Sequence, residues 1–136
     1  MTEFRLDPRL ENDSVPLVDF GLCSVRLMKD GNYPWLVMIP RKNDVTEIID
    51  LAPIEQIVLM EEIGQVSKVL KSITACQKLN VAALGNMVPQ LHVHVIARFE
   101  SDAAWPGPVW GAVPARAYEA QSLEDLVEGL QIALLG

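Results

Sequence analysis

Residues 90–99, Gln-Leu-His-Val-His-Val-Ile-Ala-Arg-Phe, alternate with a period of two. In a β-strand successive side chains point to opposite faces. Leu91, Val93, Val95, Ala97 and Phe99 therefore share one face, and Gln90, His92, His94, Ile96 and Arg98 share the other. The first face suits a core. The second sets a glutamine, both histidines of the chain and an arginine in a row, which predicts a strand that faces a chemical site. Pro89 opens it, where no ladder donor is needed.

The rest of the pattern supplies a scaffold for that strand. Residues 1–14 are polar and read as a surface lead-in. Leu17 to Leu27 is strand-like, with Gly21 as a bend. Asp30-Gly31 between two apolar runs is a hairpin signal. The returning strand is Trp35 to Ile39, closed by Pro40 and followed by a polar connection, Arg41-Lys42-Asn43-Asp44. Glu47 to Leu51 reads as a short strand or an extended lead-in to a helix. Pro53 suits a first helical turn. The stripe Leu59, Ile63, Val66, Leu70 and Ile73 predicts a long helix running to about Gln77. Lys78 to Leu84 is the next strand, and Gly85-Asn86 a turn. Trp105 to Gly111, with its Pro-Gly-Pro core, is a rigid loop. Ser122 is placed to cap a last helix whose apolar face is Leu123, Leu126, Val127, Leu130 and Leu134. This order predicts an α+β fold: an antiparallel sheet of about five strands, a long helix across it and a C-terminal helix.

Composition narrows the function classes. A chain of 136 residues, 50% hydrophobic, has the length and the apolar content for one domain over 1–136. A net charge of −7 argues against a nucleic-acid backbone as partner, which cationic side chains must hold. A single small anion is still compatible with local positive groups. The first residues carry neither a basic nor an apolar leader segment, and the apolar runs are too short to span a bilayer. Cys23 and Cys76 lie in apolar surroundings and read as free buried thiols of a reducing compartment. We therefore expect a cytoplasmic protein with neither nucleic-acid nor membrane partners.

Two histidines at i and i+2 have three uses. They can ligate zinc, they can run nucleophilic and acid–base chemistry near neutral pH, or they can simply occupy a solvated face. Zinc lacks obvious partners, since there is no third histidine and no CxxC pair; a distant ligand such as Asp19 stays open.

Gln90-Leu91-His92-Val93-His94-Val95-Ile96 resembles the signature of the histidine triad (HIT) superfamily, His-φ-His-φ-His-φ-φ with φ apolar. Every apolar position and the last two histidines match, while Gln90 stands in place of the first. Trp35 to Lys42 resembles the family's strand ending in Pro-Lys/Arg, and Asp50-Leu51 precedes the long helix as expected. The resemblance spans roughly residues 15–100. A second departure is Asn43, where the family often carries another histidine.

The resemblance implies a HIT-like fold, a homodimer whose sheets join, and a nucleotide phosphohydrolase or nucleotidyl transferase. Dinucleoside polyphosphates and nucleoside phosphoramidates are the implied substrates. His92 would attack the α-phosphorus to give a nucleotidyl-histidine, with His94 on the phosphate and Gln90 in a supporting place. No cofactor is implied, and magnesium enters only with the nucleotide. Splitting hydrolysis into two displacements eases each, provided that the attacking imidazole is neutral and its tautomer fixed, typically by a backbone carbonyl. Glutamine can donate and accept hydrogen bonds but cannot carry a proton. A nucleotide-binding module with little turnover is therefore the second reading, and a zinc protein using His92 and His94 the third.

Other residues are open between site and scaffold. Arg98 is a phosphate contact or a strand-end arginine. Asn86 is a phosphate or ribose contact, or a turn residue. Trp105 and Trp110 form a lid, stack on a base or anchor a loop. Arg26, Leu27 and Met28 line a nucleoside pocket or are ordinary strand residues. Arg41 and Lys42 belong to a solvated turn or meet a phosphate.

Overall fold

The computed structural model describes residues 3–136. The order is α1 (Pro8–Asp13), β1 (Ser14–Asp19), β2 (Cys23–Met28), β3 (Trp35–Pro40), a 3-10 turn (Ile48–Asp50), α2 (Pro53–Thr74), β4 (Lys78–Ala82), β5 (Val93–Arg98) and α3 (Ala120–Leu135). The strands form one antiparallel sheet in the order β1-β2-β3-β5-β4. The expected α+β architecture stands.

The two faces of the sheet are covered differently. Leu36, Met38, Val93, Val95 and Ala97 point into the main core, where Leu59, Val66 and Leu70 of α2 and Leu130 and Leu134 of α3 meet them. Cys23 and Cys76 are free and buried in the same core. The opposite face has no long helix. Phe4, Leu6 and Leu10 cover Val37 and Ile39 at one end, and Val109, Ala104 and Trp110 cover Trp35 and Ile96 at the other. The histidines lie between these two covers.

Several expectations are corrected. The stretch Leu17 to Leu27 is not one strand but a hairpin that turns at Phe20–Leu22. The turn is held from afar: the buried carboxylate of Glu62 on α2 accepts the N–H groups of Leu22 and Cys23, each at 2.9 Å. The supposed surface lead-in contains α1, capped by Asp7 with Pro8 in its first turn, and Leu10 is buried; Met1 and Thr2 fall outside the described residues. Glu47 to Leu51 is neither strand nor extended, because the Asp50 carboxylate accepts the N–H groups of Thr46 and Glu47 and winds the segment into a turn.

Helix α2 stops at Thr74, three residues early. Ala75 takes a left-handed conformation, and Gln77 N–H pairs with the Arg98 carbonyl beside the ladder. Its predicted stripe is truncated too, since Ile73 is exposed and Glu62 is buried instead. Strand β4 ends at Ala82 rather than Leu84. Helix α3 starts at Ala120 with Glu119 as its cap, so Ser122 lies inside the first turn.

Candidate active site

The histidine segment leaves the sheet sooner than its alternation predicts. Ladder pairing of β5 begins at Val93, opposite Met38. Just before it, the Leu91 N–H turns away to the Val45 carbonyl at 2.9 Å. His92 therefore stands ahead of the strand. Its Nδ1 lies 2.7 Å from the carbonyl oxygen of Gln90. A carbonyl can only accept, so the proton of the neutral ring sits on Nδ1 and Nε2 keeps its lone pair. His92 lines an open cleft of about 260 Å³ together with Thr46, Ile48, Ile49, Leu84 and Leu91.

His94 lies inside the sheet, opposite Val37 of β3 and Ala82 of β4. It is 4% exposed. Its Nδ1 lies 2.9 Å from the indole Nε1 of Trp35. Trp110 packs edge-on against it, with ring centroids 5.1 Å apart, and His92 does the same at 5.0 Å. Burial pushes the His94 pKa down from 6.5 to about 4, and a proton on nearby His92 would act in the same direction.

Beyond His92, the face predicted to be polar is thus a sealed one. Arg98, expected as a phosphate contact or a surface arginine, is neither, being 1% exposed with each of its three guanidinium nitrogens hydrogen-bonded within the protein. It grips Asp102 through Nε at 2.8 Å and Nη2 at 3.1 Å, and bonds Asn80 Oδ1 and the Gly107 carbonyl, each at 2.7 Å. Asp102 in turn accepts the N–H groups of Phe99, Ala104 and Trp105. Burial raises the Asp102 pKa, but the Arg98 bonds and these amides outweigh it and hold it at about 2. The pair anchors the loop that carries Trp110.

Gln90 shares the segment with His92, but its side chain is turned to the N-terminal residues. Oε1 accepts the Asp7 N–H and Nε2 donates to the Arg5 carbonyl, both at 2.8 Å. Asn43 repeats the device one step along, with Oδ1 accepting the Arg5 N–H at 3.2 Å and Nδ2 donating to the Glu3 carbonyl at 2.8 Å. Two side-chain amides therefore strap residues 3–7 beside the site. What Gln90 offers His92 is its backbone carbonyl.

The remaining candidates are placed apart from the pair. Asn86 is exposed on the loop after β4, and the cleft is lined by its neighbour Gly85 instead. Asp19 ends β1, with two strands, β2 and β3, between it and β5. Arg26 bonds Ser14 and the Glu11 carbonyl, Arg41 bonds the Phe20 and Gly21 carbonyls, and Lys42 pairs with Glu55 at 2.8 Å. Met28 packs into both small clusters of the histidine face. Among the described residues no group of three His, Cys, Asp or Glu is placed to hold a metal.

Sequence reasoning missed Trp35, Thr46 and Ile48 as site residues. Trp35 becomes visible only with the β3–β5 register, which sets the indole next to the histidine strand.

These features define a class. A five-stranded antiparallel sheet has a long helix on one face and, on the other, a His-x-His pair that starts ahead of an interior strand and continues into it. Residues 9–101 match the HIT domain model, and the chain belongs to the HIT family. Solved structures agree over nearly the whole length. A histidine triad protein from Bradyrhizobium japonicum is 48% identical, with a TM-score of 0.96, covering 98% of this chain and 99% of that one. One from Sinorhizobium meliloti is 43% identical (TM-score 0.93, 96% of each chain), and one from Marinobacter aquaeolei 40% (TM-score 0.95, 98% of each). No curated protein matches.

Proposed function

We propose that the protein is a nucleotide phosphohydrolase or nucleotidyl transferase that works through a nucleotidyl-histidine on His92. Its substrates are dinucleoside polyphosphates or nucleoside phosphoramidates. One observation carries this reading: the Nδ1 of His92 is committed to the Gln90 carbonyl, which leaves Nε2 as a neutral nucleophile beside an open cleft. The Nε2 lone pair forms a bond to the α-phosphorus while the P–O or P–N bond to the leaving group breaks, and the leaving group takes that electron pair, an amine leaving with a proton taken up from solvent. The ring becomes cationic, and the Gln90 carbonyl oxygen, already facing its Nδ1–H, stabilises it. Water then attacks the phosphorus and gives up a proton to solvent, the P–N bond to His92 breaks with its electron pair returning to Nε2, and the nucleoside monophosphate leaves.

His94 stands beside the phosphate, and Asn86, exposed next to the cleft-lining Gly85, would have to swing in from its loop to meet the phosphate or the ribose. Gln90, in place of the first histidine of the pattern, takes no part in proton transfer. The chemistry needs no metal of its own, and magnesium arrives only on the substrate. The protein works in the cytoplasm, where such nucleotides are made. It pairs with a second copy through β4, an edge strand whose Val81 is exposed. No helix among the described residues is long and apolar enough to cross a membrane.

The test incubates the purified protein, beside His92→Ala, with a fluorogenic adenosine phosphoramidate and with diadenosine tetraphosphate. Release of AMP by the native protein alone is the expected result. AMP binding without release by either supports a binding module instead, and near-stoichiometric zinc in the native protein supports the metal reading. Equal release by both removes His92 as the nucleophile.

A further inference from the structure

The two histidines differ in what their Nδ1 atoms meet. His92 Nδ1 faces a carbonyl, which only accepts. His94 Nδ1 faces the indole N–H of Trp35, which only donates. An N–H cannot bond another N–H, so the Nδ1 of His94 must be bare. Its ring proton then has one other place, Nε2. We propose that Trp35 is a positioning residue that holds His94 as the neutral Nε2–H tautomer, opposite to that of His92.

The surroundings of His94 support this assignment. A second proton on Nδ1 would break the bond to Trp35 inside a site that excludes water. The groups packed on the ring are Trp35 of β3, Trp110 of the loop and His92. Its ladder partners, Val37 and Ala82, are uncharged. Arg98 further along the strand is paired with Asp102. No carboxylate among these faces the imidazole to stabilise a cation, and burial opposes one as well.

The consequence rests on the proposed reaction. With opposite tautomers, one Nε2 offers a lone pair and the other an N–H, from rings 5.0 Å apart. His94 then serves the phosphate as a neutral hydrogen-bond donor to a phosphoryl oxygen, a role that a histidine of depressed pKa fills well. It does not hand a proton to the leaving group from an imidazolium.

The tautomer can be read without any turnover. The chain has two histidines, so the full-length protein labelled with 15N-histidine gives two imidazole patterns. The expected result is a proton on Nδ1 for His92 and on Nε2 for His94, with the His94 pattern unchanged from about pH 8 to about pH 6. Trp35→Phe keeps a ring and deletes the donor. There His94 should redistribute between tautomers and its titration should move up by about one pH unit. In activity, the same variant should gain a new acidic limb in its kcat profile. A native His94 with its proton on Nδ1, an imidazolium at pH 6, or a Trp35→Phe spectrum identical to the native one overturns the proposal. If Trp35→Phe does not fold, the native spectrum decides alone. Absence of turnover leaves the spectrum readable and counts against the proposed reaction instead.

Discussion

The segment from Gln90 to Arg98 divides into two halves with the same alternation and opposite physics. In the first, Gln90 and His92 stand off the ladder, and the functional contact is a backbone carbonyl to Nδ1. In the second, His94 and Arg98 lie inside the sheet under a loop, held by side chains: Trp35 for one, Asp102 for the other. The first half keeps a basic nitrogen beside a cleft. The second is almost dry, and each polar group in it is held by a side-chain partner. Position on a strand face decides little by itself; what covers the face decides whether a polar residue is a reagent or a fixture.

The strongest way to break the contrast is to remove the reagent. His92→Ala should lower turnover by about three orders of magnitude or more, because His92 is the one imidazole lining the cleft among the described residues. Intact-protein mass spectrometry after rapid quenching should find a nucleotidyl adduct on the native chain and none on the variant. An adduct on the variant would assign the attack to another residue.

Next in size is the fixture. Arg98 and Asp102 are a buried pair, with side chains 2% and 4% exposed. Arg98→Ala leaves the carboxylate buried without its cation, which costs about 3–5 kcal/mol. Urea unfolding followed by tryptophan fluorescence measures it. The pH dependence has a defined sign. The folded pKa of Asp102, about 2, is below its unfolded value of 3.8. Its stabilisation is therefore present above about pH 4 and is lost as the pH falls through about 2.

His94 sharpens the comparison from the other side. Its folded pKa, about 4, is below the ordinary 6.5, so between these values the unfolded chain binds the extra proton. Stability should fall as the pH drops through that window, by up to about 1.4 kcal/mol per pH unit from this one group. His94→Gln should abolish that component of the slope while leaving the separate acid loss near Asp102. An unchanged slope in the variant would mean that His94 is protonated in the native state.

The sequence made the scaffold readable wherever the signal was local. The Asp30-Gly31 turn, Pro53 opening α2 and the alternation of Val93 to Arg98 all appear where expected. Several failures share a cause: a residue outside the element settles its structure. Glu62, on another element, makes the Phe20–Leu22 turn. Asp102 turns Arg98 from a ligand-binding cation into an anchor. The β3–β5 register, invisible in either strand alone, sets Trp35 against His94. The same limit applies to Gln90 and Asn43. As departures from a histidine pattern they looked unrelated, yet both hold the same short segment.

That shared duty yields the smallest and most discriminating effect. Gln90 and Asn43 each make two hydrogen bonds to residues 3–7, and the four bonds fall in order along that segment: Glu3 carbonyl, Arg5 N–H, Arg5 carbonyl, Asp7 N–H. Gln90→Ala should cost about 1–2 kcal/mol, the worth of two partly exposed bonds, and should raise hydrogen exchange at the Asp7 amide while leaving the core strands protected. Because the side chain carries no proton and the carbonyl facing His92 remains, KM should rise with kcat and its pH profile unchanged. Asn43→Ala should expose the Arg5 amide in the same way. The double variant should cost less than the sum of the two, since the second loss acts on a strap already released. A fall in kcat for Gln90→Ala with the segment still protected would instead place its amide in the chemistry, beside the histidine that it precedes.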